Sequence, residues 1–190
     1  MRVGLLGGSF NPAHAGHRYL ALVALRRLRL DQVWLLVSPG NPLKSAEGMA
    51  PFSERLAGAY AIADGRRIIA TGIEATLGTR FTTDTLRLLR RRFPRVHFVW
   101  LAGADILVQL PRWRRWVQML RQIAFAVIPR PGHTQRALAS QAVQRMRHAR
   151  RPEHAAVTLP GHPPAWVFLP VQQNAASATV IRDHARGVVP

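Results

Sequence analysis

At 190 residues, with 48% hydrophobic and 7% aromatic residues, the chain has the composition of one folded domain spanning 1–190, and no repeat or linker argues for a second. It contains no cysteine, which excludes disulfides, thiolate catalysis and cysteine-based metal sites. Its formal charge of +18 comes almost wholly from arginine spread along the chain, Lys44 being the only lysine, so weak retention on polyanions is expected and specific nucleic-acid binding is not.

At the N-terminus, Arg2 and a short apolar run broken by Gly7 and Gly8 make no signal peptide. No stretch has the length to cross a bilayer, so a cytoplasmic protein with no membrane partner is expected. Val3, Leu5 and Leu6 lead into Gly7-Gly8-Ser9-Phe10-Asn11-Pro12-Ala13-His14-Ala15-Gly16-His17, and from His17 onward Leu20, Val23, Ala24 and Leu28 recur at helical spacing. This is a strand, a glycine turn and a helix. Such a junction presents backbone N–H groups and the positive end of a helix dipole, which suits a phosphate. Gly7 and Gly8 let the backbone approach an anion, and the imidazoles of His14 and His17 can both point at it. The pair lacks the intervening Glu and the four-residue spacing of a zinc-protease helix, so no protein metal site is expected. The alternative is a glycine turn with two incidental surface histidines.

The run Gly7 to His17 resembles the signature of nucleotidyltransferases that carry a His-x-x-His motif, such as the adenylyltransferases that make dinucleotide cofactors. The resemblance implies an ATP site at Gly7, Gly8, Ser9, Phe10, His14 and His17. Further along, Gln32 to Ser38 (QVWLLVS) reads as a buried parallel strand and Pro39-Gly40-Asn41-Pro42 as its loop. Lys44 follows at the carboxyl end of that strand, where open α/β sheets bind ligands. In the family resembled, a basic residue here contacts the triphosphate; a solvated loop lysine is the alternative. Ser53 to Asp64 is expected to be a helix capped by Ser53, and Arg67 to Thr71 a strand. Arg55 is read as a surface residue or a partner at the sheet edge.

In Gly78 to Leu86 (GTRFTTDTL) hydroxyl residues crowd a helix start, and Leu86, Leu89 and Phe93 form its apolar stripe. Arg87, Arg90, Arg91 and Arg92 fall mostly off that stripe, as on a solvated face. The segment resembles the Tyr-Thr-x-x-Thr-Leu stretch of the nicotinate-nucleotide adenylyltransferases, with Phe81 in place of tyrosine. That resemblance implies that Thr82 and Thr83 meet the nicotinate moiety. N–H groups at a helix start suit a carboxylate, and plain N-capping by a threonine is the competing reading.

Val96 to Ala102 (VHFVWLA) is the next buried strand, running into Gly103-Ala104-Asp105, where backbone can pack on a nucleotide and Asp105 can accept from ribose hydroxyls. With Leu110-Pro111-Arg112-Trp113 it again resembles the nicotinate-nucleotide enzymes. Trp113 is the expected stacking partner of the pyridine ring, and Trp116 is its rival. Ile123 to Ile128 is a fifth strand, followed by Arg130-Pro131-Gly132, which resembles the family's Arg-Pro-Gly; Arg130 is a candidate for substrate phosphate or a turn-flanking residue. A polar helix is expected over Thr134 to Ala149, irregular chain over 150–165, and a last short strand over Trp166 to Leu169.

Asn174 to Asp183 (NAASATVIRD) closes the pattern: Ser177 is a good N-cap, and Ser177, Thr179 and Arg182 can converge on one anion. It resembles the Ile-Ser-Ser-Thr-x-Ile-Arg signature of the same enzymes, with Ala176 and Ala178 at two of its positions. The chain then stops at Pro190, where family members usually continue, so either this branch is short or the chain is truncated. Alternating strand and helix signals specify an α/β fold, a single Rossmann-like doubly wound parallel sheet of nucleotidyltransferase type with five or six strands. The resemblance implies adenylyl transfer from ATP to nicotinate mononucleotide, with Mg²⁺ brought by ATP. His14 and His17 would hold phosphoryl oxygens, and Lys44 and Arg182 would neutralise the leaving pyrophosphate. Another acceptor, nicotinamide mononucleotide or phosphopantetheine, and a non-enzymatic nucleotide- or RNA-binding role are the alternatives, and the oligomeric state is left open.

Overall fold

The computed structural model describes residues 1–40, 47–130 and 132–171. Seven strands, β1 (Arg2–Gly8), β2 (Gln32–Val37), β3 (Ile68–Thr71), β4 (His97–Gly103), β5 (Ala124–Ile128), β6 (Arg150–Arg151) and β7 (Trp166–Phe168), form one sheet in the order β3-β2-β1-β4-β5-β7-β6. Every pairing is parallel. The helices are α1 (Ala15–Arg27), α2 (Phe52–Ile62), α3 (Ile73–Thr76), α4 (Thr82–Arg92), α5 (Ala104–Gln109), α6 (Trp116–Gln122), α7 (Thr134–Leu138) and α8 (Gln141–Arg145).

The central strands are apolar on both sides because both faces are covered, and alternate residues divide between two cores. Leu6, Val33, Leu35, Val99, Leu101, Ala126 and Ile128 join Ala21, Ala24 and Leu28 of the α1 segment on one face. Val3, Leu5, Leu36, Trp100, Phe125 and Val127 join Leu86, Leu89, Leu107 and Met119 of α4, α5 and α6 on the other. Strand order reverses between the neighbours β1 and β4, so the chain leaves β1 for α1 on one face and leaves β4 for α5 on the other. A crevice at the carboxyl ends of these two strands is the consequence, and it is where doubly wound sheets place ligands.

The strands agree with the sequence reading to within a residue or so, while β6 exceeds it. Two exposed arginines carry no apolar pattern, yet Arg150 pairs with Trp166 and lays its guanidinium 5.2 Å from that ring. The expected helix over 134–149 is instead broken at Ser140, whose hydroxyl accepts from the Val143 N–H and starts α8 anew. Ser53 is not a cap. α2 starts at Phe52 behind Pro51, whose preset φ suits helix entry and whose missing N–H costs nothing there. The four arginines of α4 are exposed, as its stripe predicts. No helix among the described residues is long and apolar enough to cross a membrane.

Candidate active site

Between β1 and α1 the chain makes a tight turn in which Phe10 sits at φ 49°, a left-handed conformation that bulky residues rarely adopt. The ring of Phe10 is buried and lies 4.7 Å from that of His17, so packing holds the turn in place. His14 is the N-cap of α1: its Nδ1 accepts from the Gly16 N–H at 3.1 Å, and the His14 N–H is donated in return to His17 Nδ1 at 3.3 Å. Two histidines thus form a reciprocal capping box, with their rings 3.9 Å apart. Because each Nδ1 is an acceptor, each neutral ring carries its proton on Nε2. His14 Nε2 is buried and meets no hydrogen-bond partner among the described residues. Burial, and secondarily the positive charge of Arg130, lowers the His14 pKa and keeps the ring neutral near neutral pH.

Arg130 reaches this place from the end of β5. Its Nη1 donates to Asp105 Oδ2 at 2.9 Å, while Asp105 Oδ1 is buried and unpartnered among the described residues. The ends of β1, β4 and β5 therefore bring His14, Asp105 and Arg130 into one neighbourhood. Gly103 is small for a local reason, since a Cβ there would stand 2.6 Å from Asp105 Oδ1. At Gly7 the core alone already requires glycine, since a Cβ there would lie 2.5 Å from Trp100 Cη2. A Cβ at Gly8 would meet the Phe10 ring at 3.3 Å, so that position is constrained by the same turn. The Ser9 carbonyl accepts from Arg55 Nη1 at 2.7 Å.

A second cluster forms where α4 meets the turn before α6. Thr83 is buried and its hydroxyl donates to the Arg114 carbonyl at 2.9 Å, so its side chain serves as a brace rather than as a free substrate ligand. The Arg114 guanidinium lies 4.6 Å from the Phe81 ring and 3.8 Å from Asp84 Oδ2. Phe81, not a threonine, occupies the N-cap position, and no side chain caps the first turn of α4. That leaves the helix start available to an anion, with the partly exposed Thr82 beside it. Trp113 stands edge-on to Trp100 at 6.0 Å, which links this cluster to Gly7. Trp116 is also half-buried against the same core, so both indoles keep exposed surface. Lys44, Ser177, Thr179 and Arg182 lie outside the described residues.

Three residues with a part in the site were not singled out for it by the sequence reading. Asn11 holds the segment before α2, donating to the Gly48 carbonyl at 2.9 Å and accepting from the Ala50 N–H at 3.1 Å. Arg55 is buried, against the expectation of a surface or sheet-edge residue, and its signal was its position on the buried side of α2 with Ala59 one turn on. Glu74 lies beneath the start of α4, where its Oε1 accepts from the Thr85 hydroxyl at 3.0 Å and Thr85 Oγ1 lies 2.8 Å from Thr79 Oγ1.

Burial pushes the Glu74 carboxyl pKa up, and the Thr85 hydroxyl pulls it part of the way back. The folded state then holds this proton more tightly than the unfolded state, so between the ordinary pKa of 4.5 and the raised one stability is lost as pH rises. Glu74→Gln keeps the acceptor and removes the titration. The expected result is a variant-minus-native difference in melting temperature that is more favourable at pH 7 than at pH 4. An equal difference at both would show that Glu74 carries no such penalty.

The cytidylyltransferase-like family matches residues 5–184. A Gluconobacter oxydans protein named probable nicotinate-nucleotide adenylyltransferase is 58% identical over 184 residues, covering 96% of this chain and 94% of the relative. A Gluconacetobacter diazotrophicus protein of the same name is 55% identical over 185 residues, covering 97% and 86%. Among solved structures, Plasmodium falciparum nicotinic acid mononucleotide adenylyltransferase complexed with NaAD superposes with a TM-score of 0.72 at 15% identity, covering 96% of this chain and 82% of that one. At that identity the likeness shows the fold alone.

Proposed function

This chain belongs to the nicotinate-nucleotide adenylyltransferases of the cytidylyltransferase-like family, and from that premise we propose that it joins ATP and nicotinate mononucleotide into nicotinate adenine dinucleotide and pyrophosphate. The observation that carries the reading is His14 Nε2: a buried, proton-bearing nitrogen with no partner among the described residues, at a helix start in the crevice where the sheet reverses order. A buried donor left unpaired costs about 1–3 kcal/mol, and a phosphoryl oxygen would recover that.

The acceptor's phosphate is already an anion, so no general base is needed. One of its oxygens forms a bond to the α-phosphorus of ATP while the bond from that phosphorus to the bridging oxygen breaks, and pyrophosphate leaves with the electron pair. His14 and His17, oriented by their shared capping box, donate Nε2–H to the phosphoryl oxygens as charge builds on them. Arg130, fixed by Asp105, adds positive charge at the same crevice. Lys44 and Arg182 are assigned to the leaving pyrophosphate, and Ser177 and Thr179 to ATP. The first turn of α4, with Thr82, receives the nicotinate carboxylate, and Trp113 stacks on the pyridine ring.

A Mg²⁺ ion, held by the nucleotide's own phosphates and by water, is the metal this chemistry would use. Such an ion supplies charge neutralisation on the triphosphate. The test is pyrophosphate release from ATP against a panel of acceptors: nicotinate mononucleotide, nicotinamide mononucleotide and phosphopantetheine. Release with the first supports the reading, and silence on every acceptor removes it.

A further inference from the structure

Arg55 is an arginine whose side chain is only 4% exposed, in the second turn of α2, and none of the ion pairs among the described residues includes it. Its planar head makes four hydrogen bonds, all to backbone carbonyls. Nη1 donates to Ser9 at 2.7 Å and to Ser38 at 2.7 Å, Nη2 to Pro39 at 3.1 Å, and Nε to Ala50 at 2.9 Å. Those carbonyls belong to three separate segments: the turn after β1, the exit of β2, and the approach to α2. A buried cation is expensive unless its donors are satisfied, so this geometry is over-determined by the carbonyls that surround it. The same contact works in reverse: together with the β1–β2 pairing that sets Ser38 beside Gly8 and the Asn11 bonds to Gly48 and Ala50, it holds the three segments to one point.

What lies next to the clamp is the chemistry. Ser9 precedes Phe10, whose left-handed backbone and buried ring set the position of the His17 ring at 4.7 Å, and His17 in turn holds the His14 backbone. We propose that Arg55 is a positioning residue for adenylyl transfer, its guanidinium fork fixing the Ser9–Phe10 turn so that His17 and His14 meet the transferring phosphoryl group. It touches no substrate. The inference rests on the adenylyl-transfer reading, and it adds to that reading a residue outside the phosphate-binding motifs. Lysine cannot replace the fork, because its donors radiate from one nitrogen and cannot span Ala50, Pro39 and the Ser9–Ser38 pair together.

The experiment measures pyrophosphate release by native enzyme, Arg55→Lys and Arg55→Met side by side, with kcat referred to the folded fraction seen by near-UV circular dichroism and thermal melting. Imidazole ¹⁵N spectra of His14 and His17 are recorded on each protein. Misplacing a catalytic group by an ångström costs roughly 100-fold, so both variants are expected to lose about 10- to 100-fold in kcat, with KM for ATP and for the acceptor held within about threefold. The ring signals are expected to move from the fixed tautomer toward averaged values. Arg55→Lys with native kcat, or a loss confined to KM, would overturn the proposal. So would failure of both variants to fold, since Arg55 would then be a determinant of the fold and nothing more. A silent native enzyme would instead sink the adenylyl-transfer reading itself, a result distinct from all of these.

Discussion

His14→Asn is expected to lower turnover by roughly 10²- to 10³-fold, the loss seen when one preorganised donor is removed from a developing charge. The variant separates two jobs that one imidazole performs. As N-cap, His14 accepts from the Gly16 N–H, and asparagine is among the best capping residues, so that job survives the exchange. As a donor it extends Nε2–H beyond the cap, and asparagine is too short to supply that proton in the same place. Stability should therefore stay within about 0.5 kcal/mol while kcat collapses, whereas His14→Ala should lose about 1 kcal/mol as well. His17→Ala is expected to cost at least ~10² in kcat for the same reason.

A pH signature accompanies the loss. The His14 pKa is lowered in the fold, so from the ordinary value of 6.5 downward the unfolded chain binds the proton first. Stability is then lost as pH falls through that window, and His14→Asn should remove this component from melts taken between pH 5 and pH 8. Kinetics decide the catalytic assignment, and the melts decide whether His14 titrates as its burial requires. Native turnover in folded His14→Asn would end the catalytic role, whatever the melts showed.

The second expectation concerns the acceptor. Nicotinate carries a carboxylate where nicotinamide carries an amide, and the proposed receptor is a helix start that no side chain caps. Backbone N–H groups and the helix dipole favour the anion, while an amide turns its own N–H₂ toward donors and leaves buried groups unpaired. Each such mismatch costs about 1–3 kcal/mol, which is about ten- to a few hundred-fold in discrimination. Nicotinate mononucleotide is therefore expected to exceed nicotinamide mononucleotide by at least ~10-fold in kcat/KM. Trp113→Ala should weaken both acceptors and spare ATP, because stacking is blind to the carboxylate. Equal efficiency on the two mononucleotides would refute the helix-start receptor and leave adenylyl transfer standing, and an unchanged acceptor KM in Trp113→Ala would pass the stacking role to Trp116.

Much of the fold was legible in the chain because it is written in local periods. Val3, Leu5 and Leu6 before the glycines, VWLLV from Val33 to Val37, and the run from Phe98 to Ala102 are apolar, as strands covered on both faces must be. Leu86 and Leu89 repeat at helical spacing and are buried as a stripe. The placement of His14 and His17 at a helix entrance follows from the same local signals, since a strand, a turn and a helix in succession leave them nowhere else to be.

Contacts made through space between distant parts of the chain were decided only by the tertiary structure. That Gly7 is small for Trp100, that Thr83 is committed to the Arg114 carbonyl, and that Asp105 and Arg130 pair across 25 positions depend on which strands become neighbours. Arg55 shows the limit most plainly. Its partners lie 46, 17, 16 and 5 residues away, and until the sheet brings the ends of β1 and β2 side by side, a cation on a helix has no reason to be buried. Periodicity records which face of an element is apolar, but the carbonyl groups that satisfy a buried guanidinium carry no side-chain signature and exist as a cluster only in the folded chain.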